Sequence, residues 1–283
     1  MPLDYHKIKS WPLKTNTRSY TRADTVHYAR GFGAGLPGAL QPEDSRFLDA
    51  VNTQALPMIA VVLADGEFWQ RDPAAGLQWR QLVHAQEAIT VHRPLESQGT
   101  VTIERRIVDI YDRGADRGAL LHEQQTLRDV RGEPVVTIDV HTILRGDGGF
   151  GGRAPATPRP PGGPSDRAPE AVLDLRTPSR EEPFFALPRE FDVSSVTGVQ
   201  PGQMVLRGVC CFGLAGRAVL RMVCDNEPVR LRRLSVRYAG PMLTDETVRT
   251  ELWRTAVGAA SFRVRAIERN APVLSDCYVE FEP

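Results

Sequence analysis

The chain has 283 residues, with 35 basic and 35 acidic side chains, and therefore a formal net charge of zero at neutral pH. This length predicts one large domain or two smaller ones of similar size, either able to bury a core of its own. A balanced charge argues against nucleic acid or an anionic membrane as a partner, because binding to either depends on an excess of basic surface.

The chain carries no recognisable signal for export or for a membrane span. Its first residues lack the apolar core and the small residues of a secretory signal. The apolar stretches at residues 55–64 and 209–223 are shorter than the roughly 18 apolar residues that span a bilayer, or are interrupted by arginine. The C-terminal residues match no peroxisomal or retention signal. We therefore expect a cytoplasmic protein that has no membrane partner.

The first half of the chain predicts a helix followed by strands. The apolar stretch at residues 55–64 comes first. Farther along, Val101 and Ile103 alternate with Thr102 and Glu104, and this alternation is typical of a half-buried strand. Two further strand segments follow, at residues 119–127 and 134–144.

Proline and glycine concentrate near the middle of the chain, at residues 146–169, where almost no side chain is apolar. This density prevents regular structure and is typical of a linker. We therefore predict an N-terminal repeat at residues 1–151, a Pro/Gly-rich linker at residues 152–180 and a C-terminal repeat at residues 181–283.

The second half predicts a buried helix and four strands. Gly208, Gly213 and Gly216 lie among large apolar residues without period-two alternation, which favours a helix closely wrapped by its surroundings. Four segments then alternate between apolar and mostly polar residues, at residues 234–238, 248–253, 262–266 and 277–281. This pattern is typical of an antiparallel sheet that is covered on one side.

The two halves repeat each other weakly at an offset of 147 positions. The pairs that share this offset are Pro94 and Pro241, Thr100 and Thr247, and Val101 and Val248. In both halves a helix precedes the strands, and an apolar helix wrapped by a curled antiparallel sheet is a hotdog fold. We therefore predict an α+β protein with two hotdog folds in tandem, a double hotdog.

Cysteines and histidines limit the available chemistry. The four cysteines form neither a disulfide framework nor a CxxC metal pattern, so we expect them to be reduced and buried; they are Cys210, Cys211, Cys224 and Cys277. Residues 142–283 contain no histidine at all. Catalysis in the second half therefore has no imidazole from its own half.

Short segments in a fixed order along the chain resemble a known family. They are DTVHYA at residues 24–29, LPMIAVVL at 56–63, HRPL at 92–95, LRGVCCFGLAGRA at 206–218 and ETVRTELW at 246–253. Each is unspecific alone, but together they extend over nearly the whole chain. The chain resembles the MaoC-like dehydratases and the (R)-specific 2-enoyl-CoA hydratases, also called hydratase 2.

This resemblance implies a double hotdog in which the first repeat shapes an acyl tunnel and the second carries the chemistry. The implied reaction adds water across the double bond of a trans-2-enoyl thioester, or removes it. In the family an aspartate and a histidine hold the water, and a backbone N–H of the buried helix stabilises the thioester oxygen. The implied ligand is an acyl-CoA or acyl-carrier thioester, and neither a cofactor nor a metal is expected.

The sequence departs from the family at its most specific motif. The family signature, roughly Leu-Ser-Gly-Asp-x-Asn-Pro-Leu-His, is expected within residues 181–198, where only Leu187 fits it. Glu190 and Asp192 are the carboxylates that follow. One of them acts as a lone general base, or both are solvated charges without a role, since an exposed carboxylate with a pKa near 4 is a poor base at pH 7.

The start of the predicted helix supplies two further candidates. Gly208 is the candidate donor to a thioester oxygen, because glycine permits close approach, although it also suits helix-to-sheet packing. Arg207 stands where the family usually has histidine. It pairs with a CoA phosphate or with Glu190, or it is an ordinary surface arginine.

One histidine of the first half is also a candidate. His84 begins the run His84-Ala85-Gln86-Glu87, at a position where the family often has His-Gly-Glu-Gln. On the strand predicted there, His84 faces the acyl tunnel, or it is a hydrogen-bonded structural residue.

Three functions are compatible with these residues. The first is a hydro-lyase on an enoyl thioester, with weak or lost activity because the Asp/His pair is absent. The second is a non-catalytic acyl-thioester-binding protein, which forms a homodimer or pairs with an active hydratase subunit. The third is a hotdog thioesterase that uses Glu190 or Asp192.

Overall fold

The computed structural model describes residues 3–35, 44–156, 167–179 and 202–283. The helices are α1 (Tyr5–Lys9), α2 (Arg22–Gly31), α3 (Ser45–Leu48), α4 (Ile59–Leu63) and α5 (Gly208–Val223). The strands are β1 (Asn16–Tyr20), β2 (Leu82–Val91), β3 (Gly99–Asp112), β4 (Ala119–Arg128), β5 (Pro134–Leu144), β6 (Ala171–Arg176), β7 (Leu231–Tyr238), β8 (Thr247–Ala256), β9 (Ala259–Ala266) and β10 (Ala271–Phe281).

The ten strands form one antiparallel sheet with an internal symmetry. Their order is β1-β3-β4-β5-β2-β7-β10-β9-β8-β6, so each half has the same strand order from the outer edge to the centre. The halves meet at β2 and β7, where Glu87 is opposite Val236. The predicted double hotdog is confirmed, and the weak sequence repeat corresponds to this symmetry.

The apolar helix of the first half is shorter in the structure than the sequence pattern predicts. The apolar stretch at residues 55–64 gives only the five-residue helix α4. Pro57 precedes this helix and Gly66 follows it, and both residues disfavour a longer helix. In contrast, α5 has 16 residues and matches the predicted buried helix.

The outermost strand of the second half lies within the segment that the sequence predicts to be a linker. Strand β6, at Ala171–Arg176, pairs with β8 over its whole length. Its apolar residues alternate with polar ones over only six positions, beside a segment rich in proline and glycine. This strand therefore lacks the length that made the other strands recognisable.

Helix α5 is buried between the sheet and the short helices of the first half. Two of its glycines lie directly against large side chains. A methyl group at Gly213 would lie 2.5 Å from the ring of Phe32, and one at Gly216 would contact the sulfur of Met58. Only residues without a side chain allow the helix to approach so closely.

Buried charges fix the same helix to the first half. The guanidinium of Arg217 pairs with Asp44 and donates a hydrogen bond to the carbonyl oxygen of Phe32 at 2.8 Å. Arg221 approaches the other carboxylate oxygen of Asp44 at 2.8 Å. The side chains of Asp44 and Arg217 are almost completely inaccessible to solvent. Loss of one partner would leave an uncompensated buried charge, which typically costs about 3–5 kcal/mol.

The remaining sequence expectations concern cysteines and membrane spans. All four cysteines are buried and free, as predicted. Within residues 3–35, 44–156, 167–179 and 202–283, no helix has the length and hydropathy needed to cross a membrane.

The contact between Gly213 and Phe32 predicts a loss of stability when a methyl group is added. We expect Gly213→Ala to lower the free energy of unfolding by up to about 2 kcal/mol. Overpacking in a core costs about 1–3 kcal/mol, whereas alanine gains only about 1 kcal/mol over glycine within a helix. Chemical denaturation followed by circular dichroism measures the difference.

Gly216→Ala is the matched variant, because it adds the same methyl group to the same helix. Met58 is flexible and can move aside, so we expect a smaller loss or none. A Gly213→Ala protein that is at least as stable as the Gly216→Ala protein would contradict this packing.

Candidate functional site

The N-terminus of α5 lies at the junction of the two halves. Arg207 is the N-cap residue, with extended backbone and no hydrogen bond from its side chain to the helix. Its carbonyl oxygen accepts from the N–H of Cys210 at 2.9 Å. The N–H groups of Gly208 and Val209 have no partner within a helix that begins here, and they lie at the positive end of the helix dipole. This terminus can therefore bind a carbonyl oxygen or an anion.

A tyrosine from the central strand β7 packs against the first residue of this helix. The Tyr238 ring packs on Gly208 so closely that a methyl group at Gly208 would lie 3.2 Å from it. The Tyr238 hydroxyl lies 2.6 Å from Oε2 of Glu87 on β2 and 3.1 Å from the carbonyl oxygen of Gly208. One side chain thus connects both central strands to the first residue of α5.

Burial keeps two tyrosines and one cysteine around this terminus protonated. Glu87 is only 2% exposed. Burial, followed by the nearby carboxylate of Glu87, raises the pKa of Tyr238 well above its usual value, and the pKa of Tyr28 is raised in the same way. Burial also raises the pKa of the Cys211 thiol to about 12. These three side chains therefore remain protonated at neutral pH.

The structure brings His84 to the same place. Its ring centroid lies 4.8 Å from that of Tyr238. Its Nε2 atom is buried and has no hydrogen-bond partner among the residues that the structure describes. His84 and Gly208 are separate candidates in the sequence, and in the structure both contact Tyr238.

Arg207 is paired with a carboxylate that is not part of this cluster. Its guanidinium lies 3.4 Å from a carboxylate oxygen of Asp65, and 41% of its side chain is exposed. The other two candidates from the sequence, Glu190 and Asp192, lie outside the described residues.

Tyr238 and Glu87 are site residues that the sequence reasoning did not select. Glu87 was noted only as a neighbour of His84. The available signal was its place on β2, directly before the buried apolar residues Ala88 and Ile89. A carboxylate at such a position requires a hydrogen-bond partner, which here is Tyr238.

The described side chains do not form a metal site. Within the described part of the chain, no three histidine, cysteine, aspartate or glutamate side chains are grouped in a way that could hold one. The site is therefore built from backbone amides, a tyrosine, a carboxylate and an imidazole.

Comparisons with known proteins assign the two halves separately. Residues 19–146 match the model of the MFE-2 hydratase 2 N-terminal domain, and residues 193–275 match the MaoC-like domain. The chain belongs to the MaoC-like dehydratase and hydratase 2 family.

Individual relatives cover almost the full length. The 3-hydroxyacyl-thioester dehydratase Y of Mycobacterium tuberculosis is 29% identical, with 93% of each chain covered. The peroxisomal enoyl-CoA hydratase 2 of Arabidopsis thaliana is 24% identical, over 91% of this chain and 89% of the relative. A crystal structure of a MaoC-like dehydratase from Phytophthora capsici has the same fold, with a TM-score of 0.80, 24% identity and 98% of each chain covered.

A second polar cluster lies on the opposite face of the first-half sheet. The rings of His122 and His141 stack with centroids 4.2 Å apart, and His122 Nε2 lies 2.8 Å from a carboxylate oxygen of Asp139. Burial, followed by the charge of His122, lowers the pKa of His141 from 6.5 to about 4. This cluster lies on the face that points away from α5.

The lowered pKa of His141 predicts a pH dependence of stability. Between pH 6.5 and 4 the unfolded chain binds a proton at this residue and the folded chain does not, so acidification favours unfolding in that window. We expect wild type to lose more stability than His141→Gln between pH 7 and 4.5, measured by chemical denaturation at each pH.

The matched control is the exposed His27, because His27→Gln removes an imidazole without removing a buried one. His27→Gln should follow wild type. Equal pH dependence of wild type and His141→Gln would show that His141 is protonated in the folded chain as easily as in the unfolded one.

Proposed function

We propose that this protein binds an acyl thioester with the thioester oxygen at the N-terminus of α5, and that its hydration of 2-enoyl thioesters is weak or absent. The observation that carries this proposal is the start of α5 at Gly208, beneath Tyr238 and at the junction of the two hotdog halves. Membership of the hydratase 2 family supports a thioester as the ligand class.

The backbone at this terminus suits a thioester oxygen. Amide donors of a helix start are fixed in advance, so they stabilise negative charge on the oxygen without reorganisation. Gly208 has no side chain, which allows the Tyr238 ring to pack against the first turn and hold it at the junction of the two halves. Arg207 contributes a half-exposed positive charge beside the terminus, which suits the phosphates of CoA.

The same residues argue against efficient hydration. Residues 142–283 provide no imidazole, and the family signature is absent from residues 181–198. His84, on a strand of the first half, is the histidine near the terminus. A positioned acid–base pair contributes typically about 10²–10⁴-fold to a rate, and its loss would leave mainly binding.

A binding function raises the question of a partner. A homodimer, or pairing with a hydratase subunit that retains the Asp/His pair, would give the retained thioester site a use. CoA and acyl-carrier thioesters both remain candidates for the ligand.

Hydration can be tested directly with crotonyl-CoA. We expect turnover at least about 100-fold below that of the Arabidopsis thaliana enoyl-CoA hydratase 2 assayed in parallel, because the sequence of residues 181–198 lacks the Asp/His motif of the family. The measurement is the loss of enoyl-thioester absorbance. Turnover within a few-fold of that enzyme would refute the proposal of weak activity.

Binding is tested separately with butyryl-CoA, which has no double bond to hydrate. We expect it to raise the melting temperature, since a ligand that binds only the folded state stabilises it by mass action. Free CoA is the control ligand and should give a smaller shift. No shift at millimolar butyryl-CoA would refute thioester binding.

A further inference from the structure

We infer that Tyr238 and Glu87 are positioning residues that set the hydrogen-bonding strength of the α5 N-terminus toward the thioester oxygen, through the peptide group between Gly208 and Val209. This inference rests on the proposed function, because it concerns the same helix terminus.

The contact with Gly208 determines which amide is affected. The carbonyl oxygen of Gly208, 3.1 Å from the Tyr238 hydroxyl, belongs to the same peptide group as the N–H of Val209. This N–H is in the first turn of α5 and points toward the N-terminal end of the helix. A carbonyl oxygen has two lone pairs, so it accepts from Tyr238 in addition to its bond within the helix.

A hydrogen bond to the carbonyl polarises the whole peptide group. Withdrawal of electron density toward the oxygen makes the N–H on the same group a stronger donor. In chains of hydrogen bonds this effect strengthens each bond by roughly 10–30%. The Val209 N–H therefore binds a thioester oxygen more strongly when Tyr238 donates to Gly208.

The number of protons limits what Tyr238 can do. Its hydroxyl has one proton but lies within hydrogen-bonding distance of two acceptors, Glu87 and Gly208. The Glu87 carboxyl and the Gly208 carbonyl therefore compete for this proton, and replacing the Glu87 acceptor with a donor directs the proton to Gly208.

Tyr238 is the neighbour of Glu87 that reaches the start of α5. Tyr28 on α2 and Cys211 on α5 lie within range of the Glu87 charge, and burial raises the pKa of both above its usual value, so both keep their protons. His84 stacks near the Tyr238 ring from the same strand as Glu87. Of these side chains, Tyr238 is the one whose hydroxyl lies 3.1 Å from the carbonyl oxygen of the first residue of α5.

Two substitutions have different expected effects. Tyr238→Phe keeps the ring on Gly208 and removes the hydroxyl, so the Gly208 carbonyl loses its donor. Glu87→Gln keeps the shape and supplies an NH₂ that donates to Tyr238, which leaves the tyrosine proton free for Gly208.

The readout is the infrared carbonyl band of bound butyryl-CoA labelled with ¹³C at the thioester carbonyl. Stronger donors shift this band to lower frequency. We expect a clearly smaller shift in Tyr238→Phe than in wild type, with an affinity about two- to fivefold lower. Glu87→Gln should show a shift at least as large as that of wild type.

The matched control is Tyr278→Phe. Tyr278 is also hydrogen-bonded to a glutamate, Glu280, but it lies on the opposite face of the second-half sheet. The Tyr278→Phe protein should therefore bind butyryl-CoA as wild type does. An unchanged band in Tyr238→Phe, or a reduced shift in Glu87→Gln, would overturn this inference while thioester binding itself stands. Absence of any bound butyryl-CoA in wild type would overturn the proposed function and this inference together.

Discussion

The close burial of α5 is the constraint on which the rest of the structure depends. Its small residues admit Phe32 and Met58 of the first half, and its arginines share the buried carboxylate of Asp44. These contacts fix the rotation and height of the helix against a sheet built from both halves. The first turn is therefore held beneath Tyr238, and a helix that shifted by even one residue would separate Gly208 from the β2–β7 junction.

Much of the fold follows from the sequence because strands β7–β10 and helix α5 have strong, distinct periodicities. The symmetry of the sheet was also visible, through pairs such as Pro94 and Pro241. The short outer strand β6 was not, because six residues beside a Pro/Gly-rich segment provide too little pattern. Helix α4 was expected to be longer, since hydrophobicity alone does not show where Pro57 and Gly66 limit a helix.

The site was accessible to sequence reasoning only in part. Gly208 and His84 could be named because they stand in recognisable runs, and the structure places both against Tyr238. The contact between Glu87 and Tyr238 joins residues 151 positions apart, so no local spacing indicates it. It arises from the pairing of β2 with β7. The sequence of β2 alone shows a glutamate beside apolar residues, and the sequence of β7 alone shows a tyrosine at the end of a strand.

The central claim is that an acyl thioester places its carbonyl oxygen at the start of α5. A crystal structure of the protein with butyryl-CoA tests it most directly. We expect the thioester oxygen to lie about 2.7–3.1 Å from a backbone nitrogen of the first turn, the distance typical of an oxyanion donor. A thioester group bound away from Gly208 and Val209 would contradict the claim.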